Sequence, residues 1–223
     1  MNIRDGFPTM FEFYARFVQQ SNLIENINVS YETLLEQIVQ RNKRGHVGAF
    51  WHANDDADLQ KFLSQSDICR WQKLIIREQN IACFNTDDLI WENHIGHYRD
   101  CGVRVGLRIC PPAKTIPKKM KRLIRAINAF QERKFSKNRP SREEIIERVA
   151  AFHFWFLIIH PFVDGNGRTG RLLAWYLLRY FGLTPFVFTN DDKYETYYLA
   201  FEKDSPIRMK LYFLHKMNSQ KAV

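Results

Sequence analysis

Long apolar runs are missing from this chain. The most hydrophobic stretch, residues 149–159, is interrupted by His153 and falls short of the ~20 residues that a membrane-spanning helix needs. Residues 1–13 carry Arg4 but neither a continuous apolar segment nor a small-residue cleavage pattern, so no secretory signal is expected. Cysteine is scarce: Cys69, Cys83, Cys101 and Cys110 include no C-x-x-C pair and no zinc-like spacing with the histidines. Free thiols in a reducing, cytoplasmic setting follow, with translocation to another cell left open. His94 and His97 lie three apart but have no third ligand nearby, so they read as ordinary loop histidines. Acidic residues are nearly absent from 114–142, which holds 11 basic residues against the single Glu132, within a chain of net charge +9. That stretch is either a solvated helix face or a docking surface for an acidic protein, nucleic acid or anionic membrane. No helix-turn-helix, RNA-binding or zinc-finger pattern supports a specific nucleic acid partner.

What is present is a globular composition, 45% hydrophobic and 14% aromatic with 18 Phe, patterned mostly with helical periodicity. Helices are expected near 9–25, 31–44, 57–64, 67–79, 86–93, 116–133, 142–159, 167–181, 192–202 and 205–218. Ser141 and Glu144 have the spacing of a capping box. Gly45, Gly182 and Asn26 stand where residues with positive φ close helices. Residues 103–109 alternate apolar and polar between Gly102 and Pro111-Pro112, which predicts a strand or small hairpin. The fold class is therefore all-α with one small β-hairpin. A helical segment over 1–90 is expected to precede a compact core over 91–223.

The chemistry is concentrated in residues 160–171, His-Pro-Phe-Val-Asp-Gly-Asn-Gly-Arg-Thr-Gly-Arg. A titratable base, a carboxylate, three glycines, an amide and two guanidiniums suit a site that holds a polyphosphate with a divalent metal. Glycine lets backbone approach anionic oxygens, and a helix beginning there aims free N–H groups at them. Gly165, Gly167 and Gly170 match G-x-G-x-x-G, but no βαβ pattern surrounds them, which argues against a dinucleotide fingerprint. No P-loop sequence occurs. A plain structural loop accounts for the glycines but not for the preceding His-Pro-Phe, nor for two arginines three apart.

At every specified position this segment resembles the signature H-x-F-x-[DE]-G-N-G-R-x-x-R of Fic-domain proteins, and the resemblance extends over most of the chain from about residue 91. Tyr98-Arg99 and residues 103–109 resemble the family's flap. The resemblance implies a mostly helical protein that transfers AMP from ATP to a Tyr, Ser or Thr hydroxyl of a target protein. It implies His160 as general base, Phe162 as a buried anchor and Asp164 as the Mg²⁺ ligand. Gly165, Asn166 and Gly167 would form the anion cradle, the Asn166 side chain holding the α-phosphate. Arg168 and Arg171, on the first turn of the next helix, would contact the β- and γ-phosphates. Val103, Val105, Leu107 and Ile109 would register the target by strand addition, or only cover the nucleotide.

Ser21-Asn22-Leu23-Ile24-Glu25-Asn26 matches the family's inhibitory pattern [ST]-x-x-x-E-[GN]. It implies that Ser21, Glu25 and Asn26 form an inhibitory element whose Glu25 pairs with Arg171 and restrains the enzyme. The family usually has Gly where Asn26 stands. The partners implied are ATP, an unnamed target protein, the chain itself as acceptor, and a second copy in a homodimer. Removal of AMP, a different nucleotide donor, and a non-catalytic docking module working through the basic stretch are the alternatives.

Overall fold

The computed structural model describes residues 9–83, 92–202 and 205–219. Four helices come first: α1 Met10–Ile24, α2 Tyr31–Val39, α3 Gly45–Asp58 and α4 Gln65–Cys83. A two-stranded hairpin follows, β1 Arg104–Val105 and β2 Arg108–Ile109. Then come α5 Ile116–Glu132, α6 Arg142–Ile159, α7 Asn166–Tyr180, a π turn at Lys193–Tyr197 continuing into a 3₁₀ turn at Tyr198–Phe201, and α8 Ile207–Ser219. The helix expected at 86–93 and the boundary expected at 90 fall almost wholly outside the described residues.

Local chemistry accounts for most helix ends. Thr9 and Glu12 form a reciprocal capping box at α1. Asn26, at φ 61°, closes that helix, with the Ile27 N–H reaching the Asn22 carbonyl at 3.0 Å. Gly182, at φ 81°, does the same for α7. Ser141 caps α6 by accepting the Glu144 N–H at 3.1 Å. The expected box is only half made, however, because the Glu144 carboxylate turns instead to Arg133.

Residues 31–64 are arranged differently from expectation. The helix expected over 31–44 ends at Val39, closed by Arg41 in the left-handed region at φ 50°. Gly45 therefore opens α3 rather than closing α2, and residues 57–64 form the exit from α3 instead of a helix of their own. The physical reason is close packing. A Cβ at Gly48 would lie 2.3 Å from the Lys43 carbonyl carbon, and Ala49, Ala53 and Ala57 are buried where α3 meets α4 and α7. Small residues bring these backbones together, and that composition weakens the apolar period by which a helix is recognised.

The axis of the molecule is α7, buried on nearly every side. Trp175 on α7 gathers Tyr14 and Phe17 of α1 and Phe50 of α3, with ring centroids 4.5–5.5 Å away. Aromatic pairs at such separations contribute about 0.5–1.5 kcal/mol each beyond their burial. On the other flank, Phe186, Phe188, Tyr197, Tyr212 and Phe213 pack around the buried His153 of α6. The long helix α5 turns Met120, Ile124, Ile127 and Phe130 inward and leaves Lys118, Lys121, Arg122 and Arg125 exposed. No helix among the described residues is long and apolar enough to cross a membrane.

Candidate functional site

The site forms where α6 stops and α7 starts. His160 is the C-cap that follows Ile159 at the end of α6, left-handed at φ 50°, ψ 63°. This turn swings residues 161–165 across the end of the helix. Phe162, fully buried, pins the loop against Tyr98 and Phe156, with ring centroids 5.5 and 6.5 Å away. Gly165 then takes φ 77° immediately before α7. A Cβ there would meet Ile76 at 2.8 Å, so both its conformation and its surroundings demand glycine.

Asn166 is bonded within the loop. Its side-chain amide donates to the Phe162 carbonyl at 2.9 Å and accepts the Phe162 N–H at 3.0 Å, and the residue is 2% exposed. The amide thus clasps the loop. The loop could not otherwise satisfy those two buried backbone groups. Asn166 also opens α7, which puts Arg168 in the first turn but Arg171 in the second, one turn deeper than expected.

Asp164 is half-exposed at the rim, 3.9 Å from the Arg168 guanidinium, and its Oδ1 accepts the Gly165 N–H at 2.6 Å. Arg171 is buried. Its Nε donates to Ser21 Oγ at 2.9 Å, and its Nη2 to the Ser21 carbonyl at 2.8 Å and to Glu25 Oε1 at 2.7 Å. Ser21, Glu25 and Arg171 are thus brought together across the N-terminal half of α7. The Glu25 carboxylate lies so close over the first turn that a Cβ on Gly167 would fall 2.0 Å from its Oε1. Asn26 meets a different cation, accepting from the buried Lys193 at 3.2 Å.

Electrostatics follow from this burial. Desolvation pushes the Glu25 carboxyl up, but Arg171, with help from Arg168 and Lys193, outweighs it and holds the group below its ordinary value. His160 is drawn down to about 4, chiefly by desolvation and secondarily by Arg99, against a raising hydrogen bond at Leu157 and the charges of Glu25 and Asp164. The imidazole is therefore neutral at neutral pH.

Several participants escaped the sequence reading. Gln72 of α4 donates to the Asp164 carbonyl at 3.1 Å and accepts the Gly96 N–H at 2.6 Å. His153 hydrogen-bonds the Gly170 carbonyl through Nδ1 and Tyr197 through Nε2, each at 2.9 Å, and Tyr197 in turn bonds Arg171. Arg99 reaches the His160 carbonyl at 2.7 Å. Of the expected flap residues, Leu107 is 94% and Ile109 82% exposed, with Val105 partly so and Val103 half-buried. The hairpin pairs Arg104 with Ile109 and Val105 with Arg108, with Gly106 in the turn at φ 56°.

A helix N-terminus bearing a glycine loop, with a neutral imidazole on one side and two guanidiniums beneath it, is an arrangement whose chemistry suits a polyphosphate anion. The Fic/DOC family pattern matches residues 62–178, and the chain belongs to that family. It is 35% identical over 102 residues to the protein adenylyltransferase Fic of Nematostella vectensis, covering 46% of this chain and 22% of that one. It is also 35% identical over 109 residues to a Fido domain-containing protein of Dictyostelium discoideum, covering 47% of this chain and 71% of that protein. The match thus spans about a fifth of the Nematostella protein's length. Among solved structures, a Fic-domain signalling protein of Bacteroides thetaiotaomicron superposes with a TM-score of 0.70 at 18% identity, covering 93% of this chain and 84% of that one. Fic-1 of C. elegans superposes with a TM-score of 0.62 at 18% identity, covering 94% and 64%.

Proposed function

We propose that this chain is an autoinhibited protein adenylyltransferase that moves AMP from ATP to a Tyr, Ser or Thr hydroxyl of a target protein. The observation that carries the reading is the Glu25 carboxylate lying over the first turn of α7 while bonded to Arg171. That is where phosphate oxygens would find free N–H groups, the helix dipole and guanidiniums. The Nematostella relative, a protein adenylyltransferase, supports the choice of reaction.

In the reaction, His160 takes the proton from the attacking hydroxyl. The hydroxyl oxygen bonds to the α-phosphorus, the bond from that phosphorus to the bridging oxygen breaks, and pyrophosphate leaves. The nucleotide's negative charge would raise His160 from its low value toward the working range of a base. Gly165 and Gly167 let the backbone approach the phosphates, and Arg168 and Arg171 neutralise them. Catalysis is then mainly positioning and charge stabilisation.

The residues fit Mg²⁺. Asp164 offers one hard, half-exposed carboxylate beside the loop, and among the described residues no group of three carboxylates, cysteines or histidines could hold a metal unaided. Asp164 would hold the ion together with the nucleotide's phosphates, where it would supply charge neutralisation for the departing pyrophosphate. The exposed edge of the flap would register the target main chain, and the chain itself and a second copy are candidate acceptor and partner.

While Glu25 occupies Arg171, the γ-phosphate cannot, so ATP lies misplaced for transfer. Intact-protein mass spectrometry tests this. Glu25→Gly incubated with ATP and Mg²⁺ in cell lysate should gain AMP on itself or on lysate proteins far more than wild type, with UTP, GTP and CTP run in parallel. Equal incorporation by the two proteins would sink the reading. AMP removal is the second reading, favoured by Glu25 being ionised and 32% exposed, as a carboxylate that orients water must be. In that case wild type, but not Glu25→Gly, releases AMP from a modified acceptor.

A further inference from the structure

Arg99 lies between the catalytic loop and the flap, and it is 2% exposed. Its Nε donates to the His160 carbonyl at 2.7 Å, and its Nη2 lies 3.5 Å from the Ile159 carbonyl. Those are the last carbonyls of α6, where a cation is favoured by the helix dipole and by acceptors with no partner inside the helix. The same guanidinium donates through Nη1 to the Cys101 carbonyl and through Nη2 to the Pro111 carbonyl, both at 2.7 Å. Cys101 and Pro111 are the two feet of the flap, one on each side of β1 and β2. The Arg99 backbone N–H completes the set by donating to the Pro161 carbonyl at 2.8 Å.

Among the described residues, Arg99 forms no ion pair with a carboxylate. A buried guanidinium balanced only by carbonyls is stabilised when its nitrogens find oxygens, and here Nε, Nη1 and Nη2 each donate to a main-chain carbonyl. A planar fork can hold three directions at once; a lysine ammonium on a flexible stem cannot reproduce it. The consequence is geometric. The distance between His160 and whatever main chain lies on the flap is set largely by one side chain.

We infer that Arg99 is a positioning residue that couples both feet of the flap to the His160 backbone and so fixes the acceptor hydroxyl against the base. This rests on the reading of His160 as base and of the flap as target platform. It goes beyond that reading by naming what holds the two together. Arg99 need not touch the nucleotide, so its loss should separate transfer from nucleotide binding.

The test compares Arg99→Lys with its parent, both in the Glu25→Gly background, with Arg99→Gln as a second variant. The Lys variant keeps the charge and should fold. It should bind ATP–Mg²⁺ within about two-fold of its parent but transfer AMP on the order of 10–100-fold more slowly. Two readouts do not depend on activity. Amide hydrogen exchange across 101–110 should accelerate about ten-fold or more while α1 and α3 keep their protection, and the His160 imidazole NMR signals should shift. If the parent transfers no nucleotide, the functional reading fails, and exchange and NMR still decide the role of Arg99. Unchanged flap exchange and an unmoved His160 signal, or a general loss of protection and ATP affinity together, would overturn the inference.

Discussion

Arg171 and Glu25 meet at 2.7 Å across 146 residues of chain, and they are buried unequally, the arginine side chain being 1% exposed and the glutamate 32%. Arg171 also makes two bonds to Ser21 that do not involve Glu25. The cation is therefore the fixed partner and the carboxylate the removable one. Removing Arg171 would leave Glu25 and Ser21 unpaired, whereas swinging Glu25 outward needs only a new anion on Arg171.

That asymmetry makes Gly167 a probe of where Glu25 sits. A methyl group at 167 would fall 2.0 Å from Glu25 Oε1. Gly167→Ala should cost about 1–3 kcal/mol through this overlap. In the Glu25→Gly background the same substitution should cost little or even stabilise, since alanine favours a helix. A double-mutant cycle of thermal or urea unfolding checks this, and additive effects would show that Glu25 does not lie over the helix turn.

His160→Ala should abolish AMP transfer, with a loss of about 10²–10⁴-fold for removal of a general base. Calorimetric titration of ATP–Mg²⁺ in the Glu25→Gly background should show near-parental affinity, because the phosphate-holding groups belong to α7. Full transfer by the alanine variant would reject His160 as base.

Asn166→Ala removes both bonds to the Phe162 backbone and leaves a buried N–H and C=O unpaired. The expected cost is about 2–4 kcal/mol, read as a lower denaturant midpoint at unchanged slope. A variant of wild-type stability that has lost only ATP affinity would return the side chain to the phosphate.

Stability should fall in mild acid. Burial, the largest cause in each case, holds His153 at about 3 and His160 at about 4, and drives His46 well below its ordinary 6.5. Unfolded histidines bind protons more readily, so this stability is complete above about pH 6.5 and is lost as pH drops toward 4. The Glu25 pair adds a further loss only below its ordinary 4.5. Thermal midpoints should hold from pH 7.5 to about 6.5 and decline from there to 4.5, and a flat profile throughout would contradict the buried neutral histidines.

The legible parts of this protein were local. Ser141, Asn26 and Gly182 act within a few residues of the helix ends they set, and the alternation in 103–109 was enough to place the hairpin. The helix α3 was missed because its small residues serve close packing, Gly45 against Glu78 of α4 and Gly48 against the Lys43 backbone, which a local period does not register. Arg99 and Gln72 were equally hidden: each works on the 160–165 loop from 61 and 92 residues away. Nothing in the polar surroundings of Arg99 announces its burial. The one available signal for Arg99 was its place beside the entry to the flap.

By itself, the sequence determined the inventory and register of the glycine loop, since residues 160–171 are contiguous and their spacing alone sets which groups share a helix turn. It also determined the pattern that places Ser21 four residues before Glu25. Only the tertiary structure decided how these are used. The reach of the Asn166 amide to Phe162 depends on the left-handed turn at His160, and the contact of Glu25 with Arg171 depends on α1 packing its aromatic face around Trp175. Such contacts join distant segments, and their geometry is set by the packed core rather than by any single stretch of chain.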